Sequence, residues 1–429
     1  MLNPQTTDIQ FNGSVGAVAI SLGLPALLTV FGIVLNSQSP FKSGIPFPFD
    51  WSFDRIANAA FDKNTWIAYT TYFFGFVVLD QLVPGKYIKG VVLRDKTQLT
   101  YKINGLNFIL VIVTVLLARL YALGSLPELE FIYEHQLELT LTCCLFSFAL
   151  AVFVYIYSFF PLKTPNGLGT NDRILAEPGN SGRVVYDWFI GRELNPRIGS
   201  WDIKLFCELK PGLVLWLLIN VSCLYSQYLQ HGTISDSMLL INFLQGFYIF
   251  DGILNEEGLL TMMDVVTDGF GNMLAFGDLA LVPWAYSLQA RYLSLNYIDL
   301  GWPYCAATVA IAALGYYVFH SANQQKSDFK QGKLAHLKSM KTVTGSNLLV
   351  DGWWKLSQHI NYLGDWLIGL SWCLATGFNT PLTYFYAVYF ASLLVHRQVR
   401  DDEKCASKYK QSWDEYKARV PYKIIPYLY

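Results

Sequence analysis

Polar and ionisable residues stand on both sides of the last apolar stretch of this 429-residue chain. They are Asp351, His359, Asn361, Asp365, Arg397, Arg400 and Asp401. Helix ends that face only lipid do not need such residues, because ionisable groups at the membrane are costly and usually functional. The pattern therefore predicts that a polar ligand binds against the membrane at this point.

Two further spacings fit the same ligand. Lys326 and Lys330 are four residues apart and share a helix face, which predicts a phosphate-binding pair. Solvated lysines on the cytoplasmic side of a membrane are the alternative. Cys405, Tyr409 and Tyr416 follow one another at intervals of four and seven residues, which predicts one helical face. For the tyrosines, anchoring at the membrane interface is the alternative.

Acidic residues are concentrated in residues 242–278, without a neighbouring lysine or arginine in the sequence. They are Asp251, Glu256, Glu257, Asp264, Asp268 and Asp278. Acids at membrane depth usually face a cavity or a pathway. Tyr248 and Glu256 are just over two helical turns apart, so both can face one interior. A catalytic acid, an ion or proton pathway, and structural helix caps all remain open from spacing alone.

Composition sets the class of protein. The chain is 53% hydrophobic and 15% charged, whereas a soluble domain is about 25% charged. A net charge of −1 gives no field that would favour nucleic acid. The seven cysteines show no spacing typical of metal sites, so no metal is predicted. With no GxGxxG after a strand, no Walker motif, no GxSxG and no HExxH, soluble nucleotide-binding and common hydrolase folds are excluded.

Apolar runs long enough to cross a bilayer predict an all-α, polytopic transmembrane helix bundle of about ten spans in one domain, 1–429. The predicted spans are 15–36, 65–83, 105–124, 138–160, 211–230, 237–255, 277–294, 301–320, 363–377 and 381–395. Asp268, with Gly269 and Gly271, predicts a helix break. The connections 84–104, 161–210 and 322–347 are basic, which places them and both termini in the cytoplasm.

Three motifs carry a resemblance to a known family. They are YDWFIGRELNPR at 186–197, LLVDGWW…HINYLGD at 348–365 and LLVHRQVRDDEKCASKY at 393–409. They resemble the sterol reductases, integral-membrane enzymes that include delta-14, delta-7 and delta-24(28) reductases and the reductase domain of the lamin B receptor. Residues 255–278 are similar as well, and among the branches the chain looks most like the delta-14 reductases.

The resemblance implies NADPH-dependent reduction of the C14–C15 double bond of a sterol taken from the bilayer. It implies an NADPH pocket mainly in 320–429 and a sterol pocket mainly in 182–300. The alkene would be protonated to a cation at C14, which hydride from the nicotinamide then quenches. Candidates for the proton donor are Tyr248, Glu256 and Asp401, unless Asp401 orients the nicotinamide. With Arg397 added because it directly follows a span, the cofactor-binding set is Lys326, Lys330, Leu349, Trp354, Asn361, Tyr362, Arg397, Asp401, Cys405, Tyr409 and Tyr416.

This chain departs from the family pattern at three places. Gln358-His359-Ile360-Asn361 stands where Arg-His-Pro-Asn is common, Lys330 where an arginine is frequent, and Lys410 where a glycine is common. Lys330 keeps the charge but loses the bidentate fork of arginine.

The alternative functions are a delta-7 or delta-24 reductase, a non-catalytic sterol-binding scaffold, a transporter built on the acids, and an isoprenylcysteine methyltransferase-like protein that would bind S-adenosylmethionine. The expected location is the endoplasmic reticulum of a eukaryote or the inner membrane of a bacterium. In either membrane the cofactor site is expected to face the cytoplasm.

Overall fold

The computed structural model describes residues 2–35 and 52–429, and the chain forms two compact units. The first unit contains the described residues up to Ile234 together with Gln245–Tyr297. The second contains Ser235–Leu244 and Ile298–Tyr429. Both consist mainly of helices, as predicted. Residue 36, where the first predicted span ends, lies outside the described residues.

The described residues of the first unit form fifteen α-helices and four strands. The tenth of these helices begins in the second unit. The helices are α1 (Gly13–Val34), α2 (Phe53–Ala60), α3 (Lys63–Leu82), α4 (Gly105–Leu123), α5 (Pro127–Glu134), α6 (Gln136–Tyr157), α7 (Val184–Ile190), α8 (Ile203–Leu209), α9 (Pro211–His231), α10 (Asp236–Leu254), α11 (Glu256–Leu259), α12 (Met263–Val266), α13 (Asn272–Phe276), α14 (Val282–Tyr286) and α15 (Leu288–Leu295). The strands are β1 (Lys86–Val92), β2 (Gln98–Ile103), β3 (Arg197–Ile198) and β4 (Trp201–Asp202).

The second unit has longer helices and one short hairpin. Its elements are α16 (Trp302–Lys330), β5 (Ser339–Lys341), β6 (Asn347–Leu349), α17 (Ile360–Leu374), α18 (Phe385–Tyr409) and α19 (Gln411–Arg419). A 3₁₀ turn at Gly352–Lys355 connects β6 to α17.

Six helical segments of the described chain are long and apolar enough to cross a membrane: α1, α4, α6, α8 with α9, α10 and α16. The prediction of about ten spans is not confirmed. Residues 65–83 form α3, which does not reach the same apolar character. Residues 277–294 are divided into a π-helical turn (Gly277–Leu281), α14 and α15, with Pro283 at the start of α14. At 15 residues, α17 falls short of the roughly 20 that a span needs.

The described residues are mostly helical, as the all-α prediction expected, and three two-stranded antiparallel sheets accompany the helices. The largest is the β1–β2 hairpin, which lies in the basic connection 84–104. At its turn Lys96 adopts φ 66°, and the Asp95 carboxylate accepts hydrogen bonds from the amide and hydroxyl of Thr97 at 3.0 and 2.6 Å. These side-chain hydrogen bonds stabilise the turn of the hairpin. The charges of this connection, taken alone, did not predict the hairpin.

In the second unit, α16 and α17 approach until their backbones touch. A Cβ atom on Gly315 would lie 2.6 Å from the carbonyl oxygen of Gly364, and one on Gly364 would lie 2.6 Å from the amide nitrogen of Phe319. Small residues at helix contacts permit this close packing in membranes. The contact fixes the distance between the polar ends of the two helices, Asn323 on α16 and Asn361 on α17.

Replacing Gly364 by alanine should separate these helices, because its Cβ would overlap backbone atoms. We expect a loss of about 1–3 kcal/mol in the free energy of unfolding, as in other overpacked contacts. The measurement is the melting temperature of the protein in detergent. Gly75→Ala on α3 is the matched control, because nothing lies within 4 Å of its added methyl group. Equal melting temperatures for the two variants would contradict the close contact.

Candidate functional site

The end of α16 holds the segment that follows β6. The Gln325 side chain accepts a hydrogen bond from the amide of Trp353 at 2.9 Å, and the Trp354 indole N–H donates to the carbonyl of Ala322 at 3.0 Å. Trp354 is thereby buried with its ring fixed, and the Lys326 Nζ atom lies 4.1 Å from the ring centroid. This cation–π contact positions the Lys326 ammonium group and leaves N–H donors free for a ligand. Lys326 and Lys330 are both exposed, as a phosphate-binding pair requires.

An aromatic pair and a carboxylate connect α17 to α18. The rings of His359 and Tyr362 stack at 4.7 Å with an angle of 17°. The Tyr362 hydroxyl donates to Asp401 Oδ2 at 2.9 Å. Burial lowers the pKa of His359 to about 4, although Asp401 opposes the shift. The imidazole is therefore neutral near pH 7.

Asn361 supplies an orphaned polar atom that tests whether a nicotinamide fits. Its amide nitrogen donates to Asn323 Oδ1 at 3.1 Å. Its Oδ1 atom is buried and receives no hydrogen bond from the described part of the chain, and the same holds for Gln358 Oε1. A buried acceptor without a donor is unfavourable unless a ligand satisfies it. A carboxamide N–H₂ is such a donor, so these residues fit the amide end of a nicotinamide.

The predicted aromatic face of the tail is interrupted but its members remain together. The single helical face through Cys405, Tyr409 and Tyr416 was wrong, because α18 ends at Tyr409 and Lys410 adopts φ 51° before α19 begins. The three side chains nevertheless belong to one apolar cluster around Trp413. Burial raises the pKa of the Cys405 thiol, with the Asp401 charge acting in the same direction. Cys405 is thus a neutral wall of this cluster.

Glu256 lies in the first unit, in a buried group of charges. Its Oε2 atom accepts the amide hydrogen of Gly105 at 2.7 Å, and its Oε1 atom is 3.7 Å from Lys210 Nζ. Lys210 in turn contacts Asp80 Oδ1 at 2.6 Å. Burial raises the pKa of Glu256, while Lys210 and the Gly105 amide lower it. Two acids share one lysine here, so Glu256 belongs to a buried cluster of three ionisable groups.

Tyr248, also in the first unit, is half-buried on α10 beside Trp216, with ring centroids 6.3 Å apart. Trp216 belongs to a buried polar network in which Gln245 Oε1 accepts its indole N–H at 3.0 Å and the amide of Asn220 at 2.7 Å. The amide nitrogen of Gln245 donates to the carbonyl of Tyr286 at 2.8 Å. The phenol ring of Tyr248 therefore lies beside a hydrogen-bonded polar network.

The acids of 255–278 are not remote from cations, which corrects the impression given by the sequence. Lys204 is fully buried and donates to the carbonyls of Asp264, Val265 and Asp268 at 2.8, 3.0 and 2.9 Å. Lys86 contacts Glu257 at 2.9 Å. These lysines are distant along the chain, so no local pattern could reveal them.

The helix break at 267–271 is confirmed, because α12 ends at Val266 and α13 begins at Asn272. Gly269 and Gly271 lie directly against Gly191, whose carbonyl oxygen would be 2.0 Å from a Cβ on Gly269. The amide of Phe270 donates to the carbonyl of Glu193 at 3.2 Å. The motif at 186–197 and the acidic segment therefore form one backbone junction.

The predicted site residues divide between the two units. Tyr248 and Glu256 belong to the first unit, and Asp401 belongs to the second with the whole predicted cofactor set. Lys326 meets Trp354, Tyr362 meets Asp401, and Cys405, Tyr409 and Tyr416 share a cluster. Leu349 is buried at the end of β6, and Arg397 lies one helical turn before Asp401 on α18.

The predicted cofactor set did not include three residues of this site: Asn323, Gln325 and Gln358. Asn323 had a usable signal, because it is three residues before Lys326 and so shares its helix face. His359 was recognised as polar at a membrane boundary but was not included among the cofactor contacts. Its stacking on Tyr362 depends on the turn that begins α17, which spacing does not specify.

Comparison with known proteins gives full-length matches. The model of the ergosterol biosynthesis ERG4/ERG24 family matches residues 5–429. The delta(14)-sterol reductase of Candida albicans is 60% identical, with 100% of this chain and 99% of that protein covered. That of Saccharomyces cerevisiae is 55% identical with the same coverage, and that of Schizosaccharomyces pombe is 43% identical over 98% of this chain and 97% of that protein.

Lys410 provides a test of the backbone at the break between α18 and α19. Its φ of 51° and ψ of −128° suit glycine, so Lys410→Gly should stabilise the protein by about 1 kcal/mol. Lys404→Gly, in the interior of α18, is the control and should destabilise by about 1 kcal/mol. Melting temperatures in detergent would show opposite shifts. A loss of stability in both variants would exclude a left-handed residue at 410.

Proposed function

Because the chain belongs to the ergosterol biosynthesis ERG4/ERG24 family, we propose that it is a delta(14)-sterol reductase that uses NADPH. The observation that carries this proposal is identity of 55–60% over the full length of two proteins of that name. The substrate is a sterol with a C14–C15 double bond, taken from the membrane, and the product is the same sterol with that one bond reduced.

The second unit offers groups suited to each part of a reduced nicotinamide dinucleotide. Exposed Lys326 and Lys330 suit the phosphate at the 2′ position. The buried acceptors on Asn361 and Gln358 suit the carboxamide. Cys405 and the tyrosines of its cluster supply an apolar wall. When bound, the cofactor would supply hydride to carbon, and these residues would fix its orientation.

Asp401 and Tyr362 act as a pair in this proposal. The hydrogen bond of 2.9 Å keeps the Tyr362 ring and the Asp401 carboxylate in fixed relation, and stacking of His359 adds a second restraint. A carboxylate of fixed position can orient a polar cofactor group. To act as the proton donor instead, Asp401 must first take up a proton from solvent. Asp401 therefore remains a candidate for either role.

An isolated alkene accepts hydride poorly, so a proton must reach it first, and the chain must hold that proton near an apolar pocket. Tyr248 and Glu256 are the candidates in the first unit. Glu256 is engaged by Lys210 and the Gly105 amide, which favours a role in holding charge. Tyr248 has a hydroxyl on a helix beside a polar network, which favours donation.

We further propose that the protein resides in the endoplasmic reticulum with the cofactor site facing the cytoplasm. The two most similar relatives named above are proteins of yeasts, which are eukaryotes, and the chain is an integral membrane protein. Both observations support the endoplasmic reticulum over a bacterial membrane. The lysines that follow Gln325 on α16 and in the next connection support the cytoplasmic side.

The direct test is turnover of the detergent-solubilised protein with NADPH and separate delta-14, delta-7 and delta-24 sterols, with products identified by mass spectrometry. We expect conversion of the delta-14 substrate alone. Tyr248→Phe, Glu256→Gln and Asp401→Asn are then compared, and loss of the proton donor should reduce kcat by about 10²–10⁴-fold.

Each outcome separates the alternatives. Reduction of a delta-7 or delta-24 sterol instead would identify another activity of the same family. NADPH binding without turnover of any sterol would indicate another substrate, and failure to bind NADPH would leave a scaffold. Full turnover by both Tyr248→Phe and Glu256→Gln would exclude these two residues as donors.

A second test concerns the phosphate end of the cofactor. Lys326→Ala and Lys330→Ala should each raise the KM for NADPH about tenfold, because each removes a charged hydrogen-bond donor. The KM for NADH, measured in the same preparation, should change little. Lys333→Ala is the control, since Lys333 is exposed and contacts Asp328 at 3.1 Å. Equal effects on NADPH and NADH would place the 2′-phosphate elsewhere.

A further inference from the structure

Residues 420–429, called the strap below, form hydrogen bonds with residues 357–359, which lead into α17. The amides of Gln358 and His359 donate to the carbonyls of Tyr422 and Lys423 at 2.9 and 2.8 Å. The Ser357 hydroxyl donates to the carbonyl of Ile424 at 2.9 Å. The Gln358 side chain also donates, to the carbonyl of Val420 at 2.8 Å. Three consecutive residues thus make four hydrogen bonds to one short segment.

Three of these four bonds are donated by residues that are buried from water. Ser357 is 0% exposed and Gln358 is 5% exposed. Buried hydrogen bonds resist competition from solvent, and breaking one leaves a costly unsatisfied group. The strap therefore determines where residues 357–359 lie, and with them the beginning of α17.

The strap also reaches α18. The Tyr429 hydroxyl donates to Gln398 Oε1 at 3.3 Å, and Gln398 is 1% exposed. Gln398 is three residues before Asp401, so both lie on neighbouring positions of one helix face. The strap is therefore linked to both partners of the Tyr362–Asp401 hydrogen bond. It bonds to His359, which stacks on Tyr362, and to Gln398, which lies one helical turn from Asp401.

The strap is itself a closed loop. The amides of Lys423, Ile424 and Ile425 donate to the main-chain oxygen of Tyr429 at 2.8, 3.0 and 3.1 Å. The Lys423 Nζ atom lies 4.9 Å from the centroid of the Tyr429 ring. Three amides on one oxygen form a compact anion-binding arrangement of the backbone. A loop held by these contacts can fix the positions of the residues that it bonds to, whereas a flexible loop would only cover the site.

We propose that the strap is a positioning element for the cofactor site, with Ser357 and Tyr429 as its positioning residues. Ser357 fixes the segment that carries His359 and Asn361, and Tyr429 fixes the face of α18 that carries Asp401. This inference rests on the proposed function, because the positioned ligand is NADPH. It assigns to the strap a role in cofactor affinity, without direct contact with the cofactor.

The experiment uses the full-length protein with Ser357→Ala, Tyr429→Phe and both changes together. Each change removes one hydroxyl and retains the shape of the side chain. We expect each single variant to raise the Kd and the KM for NADPH about fivefold, the size of one lost hydrogen bond. The double variant should bind NADPH more weakly than either single variant. The KM for the sterol and kcat at saturating NADPH should remain near those of the wild type.

Matched controls remove hydroxyls away from the strap. Ser392→Ala removes an exposed α18 hydroxyl bonded to Val388, and Tyr121→Phe removes one from a residue that is 94% exposed. Neither should change the KM for NADPH. Ser357→Thr retains the hydroxyl and should recover at least part of the affinity, which a loss of packing alone would not predict.

The outcomes distinguish this inference from the proposed function. If wild type binds NADPH and both strap variants bind it equally well, the positioning role is wrong while the reductase remains. If the variants lose kcat, sterol affinity and melting temperature together, the strap only supports folding and the positioning role is again wrong. Failure of wild type to bind NADPH would overturn the proposed function first.

Discussion

Charged groups enclosed in an apolar chain must have partners, because an unpaired buried ion costs several kcal/mol. The first unit depends on this constraint. Lys210 lies between Asp80 and Glu256, and Lys204 is enclosed by three backbone carbonyls. Each lysine ties segments that are far apart in the sequence. Lys210 therefore both stabilises the fold and fixes the position of the candidate acid Glu256.

The second unit applies a different constraint, close approach of helix backbones at Gly315 and Gly364. This contact leaves the polar ends of α16 and α17 near each other, where Asn323 and Asn361 form a hydrogen bond. The polar residues at these ends face each other across the helix contact. They lie on rigid helices, which suits a site that must hold a long, charged cofactor against a membrane.

The departures from the family pattern acquire physical meaning in the structure. Lys410 occupies a backbone conformation that favours glycine, so its strain is local to the break between α18 and α19. Gln358 stands where arginine is common, and its amide binds the strap while its Oε1 remains an open acceptor. Lys330 is exposed and keeps the positive charge. None of these replacements removes a group on which the proposed chemistry depends.

The sequence by itself determined the membrane class, the helix break near Gly269 and the set of polar residues at the tail, because hydropathy, glycine and motif spacing are local properties. It did not predict the β1–β2 hairpin, and its ten spans counted apolar composition without the breaks that Pro283 and the π-helical turn introduce. Only the tertiary structure decided which charges meet. Lys210 is 46 residues from Glu256 and Tyr362 is 39 from Asp401, and such contacts depend on how helices pack, which spacing along one chain does not encode.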